Sequence, residues 1–322
     1  MNLINGRPAR IAGTGKYIPE KVMRNSDFEK ILDTNDKWIV ERTGIKERHF
    51  AAQGQKCSDL AYNAAILAIE DSGLAAEDID MVLVGTNSPD SAFPSVASKV
   101  QGRLGAINAG AADIQAGCTG SLAAMSIGIA GIACGMWENV LVIGAEVFGD
   151  ILDWTDRSTC ILFGDGAGAC VLSAARGEPR GFIASKIVSD GTKHNYITLE
   201  DEDGSVVNKV RMRGNDVFKF VNTALPVFIK DFCKDAGITP EQVDFWVLHQ
   251  ANVRIIDSLF RRIGVPTEKT LVNLENYGNT SAASMMITLD EAMKSGRIRS
   301  GEKVAFVAFG AGMTLGALLY EA

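Results

Sequence analysis

The sequence predicts an α/β protein of two duplicated halves, with layers in the order helix, sheet, helix, sheet and helix. One short pattern begins at Gly73 and again at Gly237, and each copy runs into an apolar segment. Two further matches follow in the same order, residues 117–121 with 278–282 and residues 138–143 with 302–307. Three ordered matches indicate a duplication. Duplicated halves normally meet about a pseudo-twofold axis, so equivalent strand ends should lie close together.

Helices and strands alternate along the first half. Ser58 to Asp71 carries apolar side chains at helical spacing, and Gly73 suits the end of that helix. Short apolar runs between turn residues suit strands that are buried on both faces. The other elements predicted here are strands at 79–85, 111–116, 140–144 and 167–172, and helices at 93–104 and 119–135.

The second half repeats this order after a polar segment. Residues 190–209 include an acidic run at 200–204, and we expect a solvated loop there. The predicted elements are helices at 216–236, 253–263 and 281–295, and strands at 245–248, 270–272, 304–308 and 316–320. The alternation implies sheets that helices cover on both faces. We assign residues 1–178 to the N-terminal half and residues 179–322 to the C-terminal half.

Composition limits the classes of function. The net charge is −7 and the sequence pI is about 5.2, which argues against a dedicated nucleic-acid binder. No window approaches about 18 consecutive apolar residues, so we expect no membrane span. Met1 to Arg7 lacks the apolar core of a secretory signal. The six cysteines show no paired spacing and the three histidines no metal-binding cluster, which favours a reducing cytoplasm and no bound metal.

Cys118 is the first candidate for chemistry. It follows a predicted strand at 113–116 and opens the helix predicted from Thr119. The positive end of a helix dipole and its unpaired N–H groups favour the thiolate, which is the reactive form of cysteine. A cysteine taken alone is more often a small buried apolar residue. The position at a strand-to-helix turn, together with the repeat, favours a nucleophile.

His249 and Asn279 are candidates by position. His249 ends an apolar strand, where a histidine is as often structural as catalytic. Asn279 follows a glycine, and such an asparagine commonly forms a turn or caps the next helix. Its match to Cys118 in the other half favours a catalytic role. The glycines around Ala311 suit close backbone packing, and the backbone N–H groups there could also face an oxyanion.

Five motifs of the sequence form a family signature. They are Thr-Asn-Asp-Lys-Trp-Ile-Val-Glu-Arg-Thr-Gly-Ile at 34–45, Asp-Arg-Ser-Thr at 156–159, Phe-Gly-Asp-Gly-Ala-Gly-Ala at 163–169, His-Gln-Ala-Asn at 249–252 and Gly-Asn-Thr-Ser-Ala-Ala-Ser at 278–284. With them, the chain resembles β-ketoacyl-acyl carrier protein synthase III, a family of the thiolase-like superfamily, over essentially its whole length. The resemblance implies the five-layer αβαβα thiolase-like fold and a homodimer.

The resemblance further implies a decarboxylative condensation that initiates fatty acid biosynthesis. Cys118 would hold the acyl group of acetyl-CoA or another short acyl-CoA as a covalent intermediate. Backbone N–H groups of Cys118 and Ala311 would bind the thioester oxygen. His249 and Asn279 would then donate hydrogen bonds to the thioester carbonyl of malonyl-acyl carrier protein (malonyl-ACP), and stabilise the enolate that loss of carbon dioxide leaves. The acyl-CoA and malonyl-ACP are substrates, and no cofactor is expected.

Two binding regions are implied by the same motif matches. Trp38 and Arg157 would hold the adenine of CoA, Arg42 its phosphates, and Asn215 the pantetheine arm. A rim that receives the acidic carrier protein would contain Lys219, Gln250, Arg254, Arg261 and Arg262. Taken one at a time, the charged members of this rim are more often solvated surface charges, and only the motif match favours docking.

Departures from the family concern the acyl pocket. Ser121, Met313 and Leu315 stand where family members commonly carry an aromatic residue, and Ala311 stands at a usual glycine. Phe93 matches the position that reaches across the dimer interface to cap the neighbouring pocket. A large cap favours a short primer, whereas missing rings free space unless neighbouring side chains fill it. We expect acetyl-CoA as the first primer, with some tolerance of longer acyl groups.

Three other functions stay open. A related enzyme on the same fold would condense or transfer longer acyl groups in specialised metabolism. A papain-like thiol hydrolase also has cysteine, histidine and asparagine in that order, but the repeat and the mid-chain nucleophile argue against it. A non-catalytic CoA- or carrier-binding protein would not need all three polar residues at the matched positions.

Overall fold

Strands and helices alternate through both halves of the chain. The computed structural model describes residues 3–175, 177, 180–200 and 205–322. The strands are β1 (Ala9–Tyr17), β2 (Lys21–Arg24), β3 (Glu47–Phe50), β4 (Met81–Gly85), β5 (Gly110–Ile114), β6 (Asn139–Glu146), β7 (Gly166–Ala174), β8 (Phe182–Ser189), β9 (Ile197–Glu200), β10 (Val206–Met212), β11 (Phe245–Leu248), β12 (Lys303–Gly310) and β13 (Thr314–Glu321). The helices are α1 (Asn25–Phe28), α2 (Asp36–Thr43), α3 (Cys57–Ser72), α4 (Val96–Leu104), α5 (Gly120–Ala133), α6 (Gly214–Asp235), α7 (Val253–Ile263), α8 (Leu274–Tyr277) and α9 (Ser284–Lys294).

Two central sheets, one in each half, share the same plan. The first has the strand order β1-β7-β6-β4-β5, and the second has the order β11-β12-β13-β8. β4 pairs with β6 in parallel, as β11 pairs with β12, and an antiparallel neighbour follows in each sheet. At the position of β5, the second sheet has an isolated bridge between Thr270 and Trp246. The prediction of a strand at 270–272 is therefore wrong, except for this one bridge.

α5 and α9 form the layer between the sheets. Leu122 and Met125 of α5 pack in one cluster with Met286 and Leu289 of α9 and with strands of both sheets. Because sheets lie on both sides of α5, this helix is apolar around most of its circumference. α3 and α4 cover the outer face of the first sheet, and α6 and α7 cover that of the second. The result is the predicted five-layer αβαβα arrangement.

Two helices begin later than the sequence predicts. The helix expected from Phe93 begins at Val96, where the Ser95 hydroxyl accepts a hydrogen bond from the Ser98 backbone N–H at 3.0 Å. The helix expected from Ser281 begins as a 3-10 turn over Ser281–Ala283 and becomes α-helical only at Ser284. Both differences matter for function because they change the backbone beside candidate site residues.

The sequence patterns do not predict the elements outside the central layers. The region at 190–209, predicted to be a solvated loop, contains β9 and the start of β10, which pair antiparallel; residues 201–204 of its acidic run lie outside the described residues. Residues 21–50 form a second such region, with β2, α1, α2 and β3. Both regions pack around Phe148, Phe163 and Val210. Their short strands depend on this tertiary packing, which periodicity does not reveal.

The connection between the halves is short. β7 is the last strand of the first sheet along the chain and ends at Ala174. β8 of the second sheet begins at Phe182. The boundary predicted between residues 178 and 179 lies outside the described residues and stays a prediction. In the part of the chain that the structure describes, no helix is both long enough and apolar enough to cross a membrane.

Candidate active site

One cavity contains all three candidate catalytic residues. It has a volume of about 650 Å³, and its lining includes Cys118, His249 and Asn279. Cys118 follows β5, His249 follows β11, and Asn279 follows α8. The duplication therefore brings together residues that are far apart in the chain, as the repeat predicts. Phe148, Leu199, Met212 and further apolar side chains complete a mainly apolar wall.

Cys118 lies in a turn and not in the helix that follows it. Thr119 is the N-cap of α5, whose first residue is Gly120. The Cys118 side chain is half-buried and borders the cavity. Loss of solvation raises the pKa of the Cys118 thiol to about 12, and a hydrogen bond from Ser281 opposes this rise. Burial thus opposes the thiolate, which the helix end is expected to favour.

His249 is oriented by a serine of α9. Its backbone N–H donates to the Val307 carbonyl at 2.8 Å, which continues the pairing of β11 with β12. Its Nδ1 lies 2.6 Å from the Ser284 hydroxyl, and that hydroxyl donates to the Ser281 carbonyl at 2.9 Å. Because Ser284 has one proton and uses it there, we assign the His249 proton to Nδ1 and the lone pair to Nε2. Burial lowers the pKa of His249 to about 3, so the ring is neutral.

Asn279 presents a donor to the cavity. Its backbone is held on both sides, since its N–H donates to Leu162 at 2.8 Å and its carbonyl accepts from Gly164 at 3.1 Å. Its Oδ1 accepts from the Ser281 backbone N–H at 2.8 Å. With Oδ1 occupied by that donor, Nδ2 is the atom left for a ligand. An asparagine held in this way suits stabilisation of an oxyanion or an enolate.

The Gly117–Cys118 and Gly310–Ala311 turns touch backbone to backbone. A Cβ at Gly117 would lie 2.6 Å from the Ala311 nitrogen, and a Cβ at Gly310 would lie 2.5 Å from the Cys118 nitrogen. Glycine is therefore required at both positions for this approach. Two backbone N–H groups at the floor of one cavity suit the predicted oxyanion site.

Three of the predicted CoA residues are clustered on the surface. The guanidinium carbon of Arg42 lies 4.7 Å from the ring centre of Trp38, and that of Arg157 lies 5.3 Å from it. Asn252, which lines the cavity, donates to the Arg42 carbonyl at 3.0 Å and connects this cluster to the cavity. Asn215 is exposed beside Gly214, another lining residue. The cluster combines a π-face with two cations.

Four of the predicted carrier-protein residues are exposed on adjacent helices. Lys219 lies on α6, and the other three lie on α7: Arg254, Arg261 and Arg262. The guanidinium of Arg254 lies 5.5 Å from the ring centre of Phe218. Gln250 is different, because only 1% of it is exposed and its amide donates to the carbonyls of Leu248 and Leu271. Its assignment to the docking rim is corrected: these carbonyls hold the side chain inside.

The predicted acyl-pocket residues do not line the cavity of the single chain. Ser121, Met313 and Leu315 are buried beside it. The Ser121 hydroxyl is buried without a hydrogen-bond partner among the described residues. Phe93, in contrast, has 86% of its surface exposed. Their contribution to an acyl pocket stays a prediction, as does the cap from a second copy.

Sequence reasoning missed four polar residues that support the site: Asn87, Glu146, Ser281 and Ser284. Asn87 and Ser281 line the cavity, and the others lie behind it. Ser281 and Ser284 belong to the motif at 278–284, which was the available signal for them. Within the described ranges, no group of histidine, cysteine, aspartate and glutamate side chains could hold a metal ion.

Comparisons with known proteins agree over the whole chain. A profile described as 3-oxoacyl-[acyl-carrier-protein (ACP)] synthase III matches residues 112–191, and one described as the C terminal of that enzyme matches residues 233–322. The β-ketoacyl-[acyl-carrier-protein] synthase III of Xanthomonas campestris pv. campestris (strain 8004) is 44% identical over 320 residues, with 97% of each chain covered.

Solved structures give the same result. The 3-oxoacyl-[acyl-carrier-protein] synthase III of Aquifex aeolicus VF5 superposes with a TM-score of 0.93 at 40% identity, over 98% of this chain and 100% of that one. The priming β-ketosynthase of the R1128 polyketide biosynthetic pathway has a TM-score of 0.90 at 32% identity, over 100% of this chain and 98% of that one. Fold and site together define a condensing acyltransferase of the thiolase-like class. Within that class, the chain belongs to the β-ketoacyl-[acyl-carrier-protein] synthase III family.

Proposed function

We propose that this enzyme condenses a short acyl-CoA, with acetyl-CoA as first primer, with malonyl-ACP to give a 3-oxoacyl-ACP. The observation that carries the proposal is the shared cavity of a thiol, a neutral imidazole and an amide whose donor atom is left for a ligand. The cycle uses these side chains, backbone N–H groups and the two thioester substrates. It requires no cofactor.

The first half-reaction transfers the acyl group to Cys118. Nε2 of His249 takes the thiol proton, and Sγ attacks the thioester carbon of the acyl-CoA. The N–H groups of Cys118 and Ala311 hold the negative oxygen of the tetrahedral intermediate. The carbon–sulfur bond to CoA then breaks, and the leaving CoA sulfur takes the proton from His249. The products are acyl-Cys118, free CoA and a neutral His249.

The second half-reaction uses neutral His249 in its other tautomer. With the proton on Nε2 and with Nδ1 accepting from the Ser284 hydroxyl 2.6 Å away, His249 donates to the thioester carbonyl of malonyl-ACP beside the Nδ2 donor of Asn279. Loss of carbon dioxide leaves an enolate that both donors stabilise, and its carbon attacks the acyl carbon of acyl-Cys118. Cys118 leaves as a thiolate and takes a proton from solvent. The donor role predicted for His249 from the family therefore requires its Nε2–H tautomer.

Substrate docking is proposed on two neighbouring surfaces. Trp38, Arg42 and Arg157 bind the adenine and phosphates of CoA, and Asn215 meets the pantetheine arm. Lys219, Arg254, Arg261 and Arg262 receive the acidic carrier protein. Arg254→Glu should raise the KM for malonyl-ACP about tenfold, with a smaller effect on the KM for acetyl-CoA. Arg299→Glu, an exposed charge reversal away from α6 and α7, is the matched control. Equal changes in both KM values would contradict the docking assignment.

A homodimer is part of the proposal. β5 ends the first sheet, and Phe93 and Ile107 near it expose 86% and 77% of their surface. Such exposed side chains beside an open strand edge suit an interface between two copies. Phe93 would then cap the acyl pocket of the partner. All six cysteines are free thiols. The reaction requires a free thiol at Cys118. A reducing cytoplasm keeps thiols free, and we place the enzyme there.

Intact mass after incubation with a panel of acyl-CoAs tests the function. We expect one adduct, on Cys118, formed fastest with acetyl-CoA. Mapping of the adduct to another cysteine would contradict the mechanism. The second candidate function is priming with longer acyl groups in specialised metabolism, favoured by the likeness to a structure whose description names a polyketide pathway. Reaction with octanoyl-CoA but not with acetyl-CoA would select it.

A further inference from the structure

Ser281 makes a hydrogen-bond connection to each of the three catalytic residues. Its hydroxyl donates to Cys118 Sγ at 3.3 Å, and its backbone N–H donates to Asn279 Oδ1 at 2.8 Å. Its carbonyl accepts from Ser284, the serine that orients the imidazole of His249. The proposed mechanism gives Ser281 no task, although its hydroxyl is the side-chain group that contacts the reacting sulfur.

The backbone of Ser281 adopts a costly conformation. Its φ is +49°, in the left-handed region that an L-residue rarely adopts. Glycine would adopt this conformation freely but would supply no hydroxyl. Strained residues of this kind cluster at functional sites because the surrounding structure holds a group where the chemistry needs it. Here the strain places the Ser281 hydroxyl against Cys118.

A buried carboxyl group lies on the other side of the Ser281 hydroxyl. Asn87 Nδ2 lies 3.2 Å from Ser281 Oγ and 2.6 Å from Glu146 Oε1. Glu146 is completely buried and also accepts from Ser88 Oγ at 2.6 Å. Burial raises the pKa of Glu146, whereas hydrogen bonds from Ser88 and Asn87 lower it. The Ala282 backbone N–H lies 3.4 Å from Glu146 Oε1, so this carboxylate lies beside the Ser281 turn and is the second acceptor near the Ser281 hydroxyl, after the Cys118 sulfur.

We propose that Ser281 is a further catalytic residue, whose hydroxyl donates to Cys118 Sγ when the sulfur is a thiol or thiolate and turns to Glu146 when it is a thioester. The inference rests on the proposed function in that Cys118 is the nucleophile. A hydroxyl has one proton, so it serves one acceptor at a time. A hydrogen bond to a charged acceptor is about twice as strong as one between neutral groups. The thiolate therefore competes with the carboxylate, whereas a thioester sulfur does not.

The switch would act twice in each cycle. Sγ carries negative charge when Cys118 attacks the acyl-CoA, and again when the new product leaves it. At both points the Ser281 hydroxyl would stabilise sulfur in a site whose burial otherwise disfavours the thiolate. Between these points Cys118 is a thioester, and the hydroxyl would return to Glu146.

Alkylation of Cys118 by iodoacetamide tests the proposal without any acyl substrate. The rate is measured from pH 6 to pH 10 by mapping the modified peptide, in the wild type and in Ser281→Ala. We expect the variant to react about tenfold to hundredfold more slowly at each pH below the plateau, because a hydrogen bond to a charged group is lost. Ser173→Ala is the matched control, since the Ser173 hydroxyl is buried and donates to Asn139 at 2.7 Å, away from the cavity.

Two further variants keep the test decisive. Ser281→Gly removes the same hydroxyl but relieves the backbone strain, so it should fold and show the same loss of alkylation rate. Glu146→Gln removes the competing carboxylate and its negative charge, so it should raise the alkylation rate severalfold. Two neighbouring substitutions with opposite effects would not result from general loosening of the site.

The outcomes separate this inference from the proposed function. Wild-type alkylation rates in both Ser281 variants would overturn the role of Ser281, even if acetyl-CoA acylates Cys118. A lower rate in Glu146→Gln would overturn the competition between sulfur and carboxylate. Acylation of another cysteine by acetyl-CoA would instead overturn the proposed function, and the alkylation series would still measure whether Ser281 stabilises the Cys118 thiolate.

Discussion

The two halves place equivalent turns on the same cavity but use them differently. Gly117 and Gly278 both have left-handed φ angles, +58° and +66°, and each precedes a candidate catalytic residue. In the first half, Cys118 leads within two residues into α5. In the second half, Asn279 leads into a 3-10 turn before α9 begins. The extra turn places Ser281 against Asn279, and Ser284 at the start of α9 orients His249. The duplication therefore explains why both turns lie at the cavity. Local differences between the halves explain why one turn carries the proposed nucleophile and the other a proposed donor.

Removal of the nucleophile should give the largest effect. Cys118→Ala should lower the rate of condensation by at least about 10⁴-fold, because no covalent intermediate forms. Decarboxylation of malonyl-ACP should persist, since the donors of the other half remain. Carbon dioxide release and product formation are measured separately in the same sample. Loss of both in a folded variant would show that the halves do not divide the chemistry.

Removal of a donor should distinguish the two residues of the second half. Asn279→Ala should slow malonyl-ACP decarboxylation about 10²–10³-fold, with a much smaller effect on self-acylation. His249→Ala should slow both, because His249 also takes the Cys118 proton. Intact mass gives the first rate, and carbon dioxide release gives the second. Identical profiles for the two variants would contradict the proton transfer to His249.

Replacement of Gly117 by alanine should cost more stability and activity than the φ angle of Gly117 alone explains. Gly117→Ala places a Cβ 2.6 Å from the Ala311 nitrogen, in the proposed oxyanion site. Gly105→Ala is the control, because Gly105 has a φ of +71° and open space around its Cβ position. The control should lose about 1–2 kcal/mol of unfolding free energy and keep its activity. Gly117→Ala should lose more stability and most of its self-acylation. Equal losses in both variants would mean that the turn's close contact is unimportant.

The pH dependence of stability should be the smallest effect, with opposite windows for the two halves. Burial lowers the pKa of His249 from 6.5 to about 3, so the unfolded chain binds a proton first as pH falls through that window. Burial raises the pKa of Cys118 from 9.0 to about 12, so the unfolded chain loses a proton first as pH rises. Stability should fall in both directions, with a slope of at most about 1.4 kcal/mol per pH unit for each group.

Urea unfolding at several pH values checks these windows. His249→Gln should flatten the acid side alone, and Cys118→Ser should flatten the alkaline side less, because Cys118 borders the cavity and is half-buried. A wild-type slope in either variant would show that the group is not held neutral by the fold. The comparison with the wild type is needed because carboxyl groups also titrate on the acid side.

The sequence predicts the central layers from the duplication. It predicts the candidate residues Cys118, His249 and Asn279 from strand ends and turns, two of which the duplication makes equivalent. The supporting network of Asn87, Glu146 and Ser281 was missed. These residues come from the ends of β4 and β6 and from a 3-10 turn, and only the packed fold brings their polar atoms together. Gln250 was misplaced because its neighbour His249 faces the cavity, whereas its own amide satisfies two carbonyls inside the protein. Contacts over long sequence distances decide both cases.

The two sheets also differ at one edge. β5 completes the first sheet as a full strand, whereas the equivalent edge of the second sheet offers a single bridge at Thr270. In the proposed dimer, the β5 edges of two copies face one another about a twofold axis. The interface therefore covers the same edge on each copy. The edge strand left on that side of the second sheet is β11, whose four residues are all buried, so it offers little template for chain addition. The shortened edge at Thr270 thus favours a closed pair over polymerisation.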